Sequence, residues 1–385
     1  MAEKKQNGKL SFFNRLKHQF VGANRPLFDH DEWDFMDAQK RNELLFDLFK
    51  KQFIFNKKYV PFYGSHYASV DEEKFSSILD CVKSTPIIRK LDIRNLPSPY
   101  DLLPKITQQA FNTLHFHRGT GGTTGEPTSM FFTRNDWKAV LGAMTRALKE
   151  LKELEQPIIA FNGYNQGHIS GPIFDDTIRL LGGLSITRNF GSSDEQAIKQ
   201  LKKHQCNLII APPISTHKGG SIEHLLDIDA KTGFNYINGD HINTIFCSST
   251  QLTHDLYKEL KGLGIRYIYD YYGSTEILPT AISCQESPFD LHILYGHIAM
   301  FVVNQDHTVV HNGERGVVLS SKIGSYSDDG TISVNQGTQL LNYEVGDEVT
   351  LITDPCPCGR TTPRITGVKR ISNVQDKLEG GCEHW

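Results

Sequence analysis

The chain has 385 residues, of which 38% are hydrophobic and 22% charged, with 32 glycines, 16 prolines and a formal net charge of -3. That is the composition of a globular protein with room for one large core or two to three ordinary domains, and not of a disordered or fibrous chain. It offers no net basic footprint for nucleic acid and no apolar run of about 18 residues for a transmembrane helix, and its seven scattered cysteines do not form a disulfide framework.

The first twenty residues, MAEKKQNGKLSFFNRLKHQF, are basic but lack the apolar stretch of a secretory signal, so a cytoplasmic location is expected. Within an N-terminal arm spanning 1–36, Leu10, Phe13, Lys17 and Phe20 fit either a weak amphipathic helix or a docking arm that frays. From Asp37 to Phe55 apolar residues recur at helical spacing (Leu44, Leu45, Leu48, Phe49, Phe53), which predicts a helix packed on the main body. Residues 59–67 read as loop. Between 157 and 273, apolar runs at 157–163, 207–213 and 265–273 alternate with helical stretches at 194–204 and near 251–263. This alternation predicts an α/β core over 37–290, with parallel-rich sheet flanked by helices. After about Leu291 the pattern changes to short strands (AMFVVN, GVVLSS, TISV, EVTLIT), predicting a smaller β-rich subdomain over 291–370, followed by a short tail at 371–385.

The stretch HFHRGTGGTTGEPT at 115–128 combines Gly119, Gly121, Gly122 and Gly125 with the hydroxyls of Thr120, Thr123 and Thr124. Backbone freed in this way can curl so that its N–H groups and hydroxyls face a polyphosphate, although an ordinary glycine-rich turn has the same composition. Neither the Walker pattern nor the dinucleotide pattern fits its spacing. Further on, Asp270-Tyr-Tyr-Gly-Ser-Thr-Glu276 ends a predicted strand, where open α/β sheets gather ligand-binding residues.

Together these stretches carry a resemblance. Thr120-Gly-Gly-Thr-Thr-Gly-Glu-Pro127 resembles the Ser-Ser-Gly-Thr-Thr-Gly-Lys-Pro phosphate loop of the acyl-adenylate-forming superfamily, with Gly121 in place of the second serine and Glu126 in place of the lysine. Tyr272-Gly-Ser-Thr-Glu276 matches that superfamily's Tyr-Gly-x-Thr-Glu, Asn342-Tyr-Glu-Val-Gly-Asp347 resembles its Tyr-x-Thr-Gly-Asp, and Arg370 matches the arginine that follows. The resemblance implies a large adenylate-forming N-terminal domain that binds ATP through Thr120, Gly121, Gly122, Thr123, Thr124 and Gly125. Tyr272 would lie near adenine, with Gly273 and Ser274 beside it and Thr275 on the α-phosphate. Asp347 would accept the ribose hydroxyls, with Arg370 nearby. Glu276 would hold magnesium, since a hard cation on phosphate oxygens calls for a carboxylate ligand. Residues 163–171, 182–191 and 207–215 resemble, in order, the aromatic-glycine substrate segment, a second glycine turn and the strand before a Pro-Ser-Tyr motif. His168, in the first of these, would face the substrate carboxylate or gate the pocket, or would be hydrogen-bonded within its loop. Residues 246–250 stand where relatives carry a Gly-Glu-containing turn.

Cys356-Pro-Cys358-Gly-Arg-Thr resembles a segment typical of phenylacetate-coenzyme A ligases, and Cys284 with His292 matches their upstream pair. Three thiolates and an imidazole suit structural zinc, with buried free thiols as the alternative. Cys382 and His384 stay unassigned. The reading that results is an AMP-forming ligase with ATP, magnesium and zinc. It would convert a carboxylic acid, aryl or acyl, to an acyl-adenylate and pass it to a thiol of coenzyme A or of a carrier protein. Because the resemblance stops near residue 370, a partner protein is expected to supply the function of the small C-terminal domain, with Lys377 the lysine the tail could offer. The alternative is a degenerate, zinc-stabilised protein that binds ATP or acid without turnover.

Overall fold

The computed structural model describes residues 32–111, 114–119, 128–148, 151, 157–215, 220–326 and 330–371. The amphipathic pattern after Asp37 forms the helix Ala38–Tyr59, whose first turn is capped by the Asp37 carboxylate accepting from Lys40 N and whose buried face carries Leu45, Leu48, Phe49 and Phe53. The segment expected as loop contains a second helix, Pro61–His66. Pro61 sits in the first turn, where a missing N–H costs nothing. Tertiary contacts hold it: the buried Tyr63 hydroxyl donates to Gln339 O at 3.0 Å and accepts from Leu341 N at 3.1 Å, and Tyr67 donates to Leu341 O at 3.1 Å. Local composition could not show partners so distant in sequence.

Strands β1 (Leu114–Gly119) and β2 (Ser129–Thr133) form an antiparallel pair of their own. The main sheet begins with β3 (Ile159–Asn162), β4 (Leu184–Thr187), β5 (Leu208–Ala211), β6 (Thr244–Ser248) and β7 (Tyr267–Tyr272). It continues through β8 (Ala281–Cys284), β9 (Ser287–Ile293), β10 (Ile298–Val303) and β11 (Arg315–Lys322). The short β12 (Ser325–Tyr326) and β13 (Ile332–Ser333) pair separately, and β14 (Tyr343–Ile352) and β15 (Arg364–Arg370) return to the sheet. The eleven strands run in the order β10-β11-β14-β15-β9-β8-β7-β6-β5-β3-β4. Neighbours from β7 to β4 are parallel and those from β7 to β10 antiparallel. The late strands therefore extend the same sheet as the parallel block.

Parallel strands need crossover connections, and the helices Ser170–Leu180, Asp194–Lys203, Ile222–Thr232 and His254–Gly262 supply them. Ser193, Ser221 and Thr253 cap the last three by accepting a first-turn N–H. In β5, Leu208 and Ile210 join one hydrophobic cluster while Ile209 and Ala211 join another on the opposite face. The strand is thus buried on both sides, which is why its sequence reads as continuously apolar. Strands β4 and β6 fall where the sequence suggested turns. Phe246, Cys247 and Ser248 are still extended and buried, and the turn begins at Ser249.

Candidate functional site

Because β3, β5, β6 and β7 are parallel, Asn162, Ala211, Ser248 and Tyr272 all end on one edge of the sheet. Loops leaving such an edge splay apart and leave room for a ligand. Here they enclose a cleft of about 510 Å³, lined among others by Tyr164, His168, Ser249, Tyr272, Glu276 and Asp347. The loop after β3 is held by Asn162, whose side-chain amide donates to Gly171 O at 2.8 Å and to Asp175 Oδ1 at 2.9 Å. Tyr164 donates to Ser248 O at 2.8 Å and accepts from Ser249 Oγ at 3.2 Å. That hydrogen bond ties the wall from β3 to the wall from β6.

Asp347 in β14 faces Arg370 in β15 across the sheet register. One carboxylate oxygen accepts from the Tyr272 hydroxyl at 2.7 Å and the other lies 3.2 Å from Arg370 Nη1, which also donates to Val345 O at 2.9 Å. Gly346 makes this approach possible: its φ is +85°, and a Cβ there would lie 3.2 Å from the Arg370 guanidinium. Burial, reinforced by the Asp347 charge, pushes the Tyr272 hydroxyl well above its ordinary range, so it stays a donor. An ionised carboxylate has about four lone-pair sites, so two remain for a diol.

The turn after β7 presents Thr275 and Glu276. Ser274 N donates to Ile277 O at 3.0 Å and Ile277 N to Ser274 Oγ at 3.2 Å, closing the turn. Glu276 is 6% exposed, with Tyr343 Oη 3.5 Å and Lys90 Nζ 3.7 Å from its Oε1. A carboxylate in this position, open to the cleft, is a donor suited to a hard divalent cation. Sequence reasoning missed Lys90, which no motif marks and which arrives from far away in the chain. It also passed over Asp270, a buried carboxyl on the cleft wall that burial pushes up to about 7 despite N–H groups from Leu252 at 3.3 Å and Tyr271 at 3.0 Å.

No protein-family model matches the chain. A phenylacetate-coenzyme A ligase of Thermus thermophilus is 22% identical over 342 residues, covering 87% of this chain and 71% of that protein. The chain is thus similar over most of its length to a phenylacetate-coenzyme A ligase, a member of the acyl-adenylate-forming superfamily. Its fold is that of 2-hydroxyisobutyryl-CoA ligase: an open conformation in complex with 2-HIB-AMP and CoA superposes with a TM-score of 0.77 at 15% identity, covering 91% of this chain and 80% of that one. A postadenylation state with R3-HIB-AMP gives 0.75 at 15% identity, covering 92% and 72%.

Of the residues singled out from sequence, Tyr272, Gly273, Ser274, Thr275, Glu276, Asp347, Arg370 and His168 line one cleft. His168 Nδ1 accepts from Ser170 N at 3.2 Å and lies 3.1 Å from Ser170 Oγ, at the start of the helix Ser170–Leu180. Thr120, Gly121, Gly122, Thr123, Thr124, Gly125 and Glu126 lie outside the described residues, as do the arm up to residue 31 and the tail from 372, including Lys377, Cys382 and His384.

Cys284 at the end of β8, His292 in β9, and Cys356 and Cys358 in the connection from β14 to β15 converge, their ligand atoms all within 4.8 Å of one another. Cys284 Sγ lies 3.6 Å from Cys356 Sγ, and Cys358 Sγ lies 3.4 Å from His292 Nε2. Tetrahedral zinc with bonds of about 2.3 Å sets sulfurs about 3.8 Å apart, so this donor set fits the ion. His292 Nδ1 sits 3.2 Å from both Thr362 O and Thr362 Oγ1, which turns Nε2 toward the thiols. The hydrogen bond from Cys284, and then that from His292, holds the Cys358 thiol well below its ordinary range.

Proposed function

We propose that this protein activates a carboxylic acid with ATP and passes the acyl group to a thiol. The acid's oxygen attacks the α-phosphorus, pyrophosphate leaves, and the resulting acyl-adenylate is then attacked at its carbonyl carbon by the thiol, with AMP leaving. The observation that carries this reading is the Tyr272–Asp347–Arg370 clamp beside Thr275 and Glu276 at the open edge of the parallel strands. Asp347 has acceptor capacity left for a ribose diol, Tyr272 and Arg370 hold it in place, and Thr275 offers a hydroxyl to a phosphate oxygen. Glu276 would hold magnesium, which would supply charge neutralisation on the phosphates. The four-residue Cys/His cluster would hold a structural zinc, joining the hairpin of β8 and β9 to the connection that precedes β15.

The acid–adenylate–coenzyme A sequence is supported by the Thermus relative, named as a phenylacetate-coenzyme A ligase, and by the 2-HIB-AMP and CoA held by the structural neighbour. Coenzyme A is therefore the acceptor of choice, ahead of a carrier-protein thiol, and the acid is aryl or acyl. No observation among the described residues speaks for a separate partner protein or for a binding protein without turnover. The test is magnesium-dependent ATP–pyrophosphate exchange over a panel of aryl and short acyl acids, followed by thioester formation on coenzyme A. Binding of MgATP without exchange on any acid would overturn the reading.

A further inference from the structure

Lys90 opens the short helix Lys90–Arg94, and the chain on its N-terminal side is docked firmly onto β14. Ile88 makes a parallel bridge to Tyr343, with its N–H donating to Asn342 O at 3.1 Å and its carbonyl accepting from Glu344 N at 2.9 Å. Asn342, held at φ +53°, donates through its side-chain amide to Val82 O at 2.7 Å and Thr85 O at 2.8 Å. Arg89 adds an ion pair to Glu344 at 3.3 Å, and its N–H donates to Asp92 Oδ2 at 2.7 Å. A segment held by several backbone and side-chain bonds fixes the direction in which its next side chain leaves. That side chain is Lys90, which enters the cleft, 22% exposed, with Nζ 3.7 Å from Glu276 Oε1.

Among the described residues lining the cleft, the lysine and arginine side chains are Lys90 and Arg370. They are not equivalent. Arg370 is committed to Asp347 and Val345 O. Lys90 approaches Glu276 at a separation longer than a hydrogen bond, so its ammonium is attracted to the carboxylate without being locked to it. A metal on Glu276 would take over that negative charge and leave the ammonium to the nearest other anion. Lysine suits such a role because its three donors rotate on a flexible stem, and it binds phosphate as a point charge.

We infer that Lys90 binds the polyphosphate of ATP, contacting the α-phosphate and the departing pyrophosphate as a catalytic cation delivered by the N-terminal region. This rests on the activity proposed above. In the step it serves, a bond forms between the acid's carboxylate oxygen and the α-phosphorus. The bond from that phosphorus to the oxygen bridging to the β-phosphate breaks, and its electron pair leaves with pyrophosphate. The ammonium neither gives up nor takes a proton; it offsets charge that gathers on the bridging oxygen. The competing role is simple neutralisation of Glu276, which predicts different kinetics.

The experiment compares wild type, Lys90→Met and Lys90→Arg in three measurements: equilibrium binding of MgATP, pyrophosphate exchange with the KM for pyrophosphate, and transfer from synthetic acyl-AMP to coenzyme A. Lys90→Met should slow exchange on the order of 100-fold and raise the KM for pyrophosphate. Transfer from acyl-AMP, which involves no polyphosphate, should stay within about twofold, and Lys90→Arg should recover part of the exchange. Unchanged exchange and MgATP binding in Lys90→Met would overturn the inference while leaving the activity intact, and so would equal losses in exchange and transfer. A wild type that neither binds MgATP nor exchanges pyrophosphate would remove both.

Discussion

Replacing Asp347 by alanine tests the proposed ribose clamp, because it should separate nucleotide binding from chemistry. The carboxylate accepts from Tyr272 at 2.7 Å and pairs with Arg370 at 3.2 Å, and it is 9% exposed. Two charge-assisted hydrogen bonds to a ribose diol are each worth about 1.5–3 kcal/mol. Their loss, taken as about 3 kcal/mol after allowing for non-additivity, corresponds to a roughly 100-fold rise in Kd for MgATP. The fold also loses something, because the half-buried Tyr272 hydroxyl loses its acceptor, at a cost of about 1 kcal/mol. Arg370 suffers less: its side chain is 29% exposed and keeps Val345 O. Calorimetric titration of MgATP, thermal melts, and exchange at saturating ATP give the three readouts. Asp347→Ala should show the large Kd rise, a melting temperature lower by a few degrees, and an exchange rate at saturation within about threefold of wild type, because the ribose lies away from the bonds that change. Adding Tyr272→Phe should restore stability by removing the orphaned hydroxyl, but not affinity. If the single variant bound MgATP as tightly as wild type, or the double variant regained affinity, the ribose clamp would be wrong.

Glu276→Ala should instead slow magnesium-dependent exchange on the order of 100-fold with the melting temperature little changed, and an unaltered rate would remove Glu276 from the metal site. Purified protein should carry about one equivalent of zinc, and Cys358→Ser should lower the melting temperature more than Cys206→Ser; metal-free protein of equal stability would refute the cluster's role. Burial pushes the Asp270 carboxyl up to about 7, against about 3.9 when unfolded, so the folded state holds a proton that the unfolded chain releases. The stability it contributes is full below about pH 4 and is lost as pH rises toward 7. The melting temperature of Asp270→Asn relative to wild type should therefore climb between about pH 4 and pH 7, and a fall over that range would contradict the assignment.

Sequence alone determined the elements whose causes are local. The helix Ala38–Tyr59 follows from apolar spacing and a capping aspartate, and β5 from an apolar run too short for a helix. The Tyr272–Glu276 turn was legible because its glycine and small polar residues break off a strand, whereas Asp347 was marked only by the resemblance of its motif, a Gly-Asp pair by itself being common in turns. Tertiary structure alone decided what these residues touch. Nothing near Pro61 announces that Tyr63 and Tyr67 dock on residues 339–341 and so hold a helix in a segment that reads as loop. Strand β6 runs on to Ser248 because its neighbours pair with it, whatever its serines prefer. The pairing of β14 with β15 sets Arg370 opposite Asp347, and the bridge from Ile88 to Tyr343 brings Lys90 to Glu276. Backbone preference acts over a few neighbouring residues, whereas the distance between two side chains across a sheet depends on register and packing throughout the molecule.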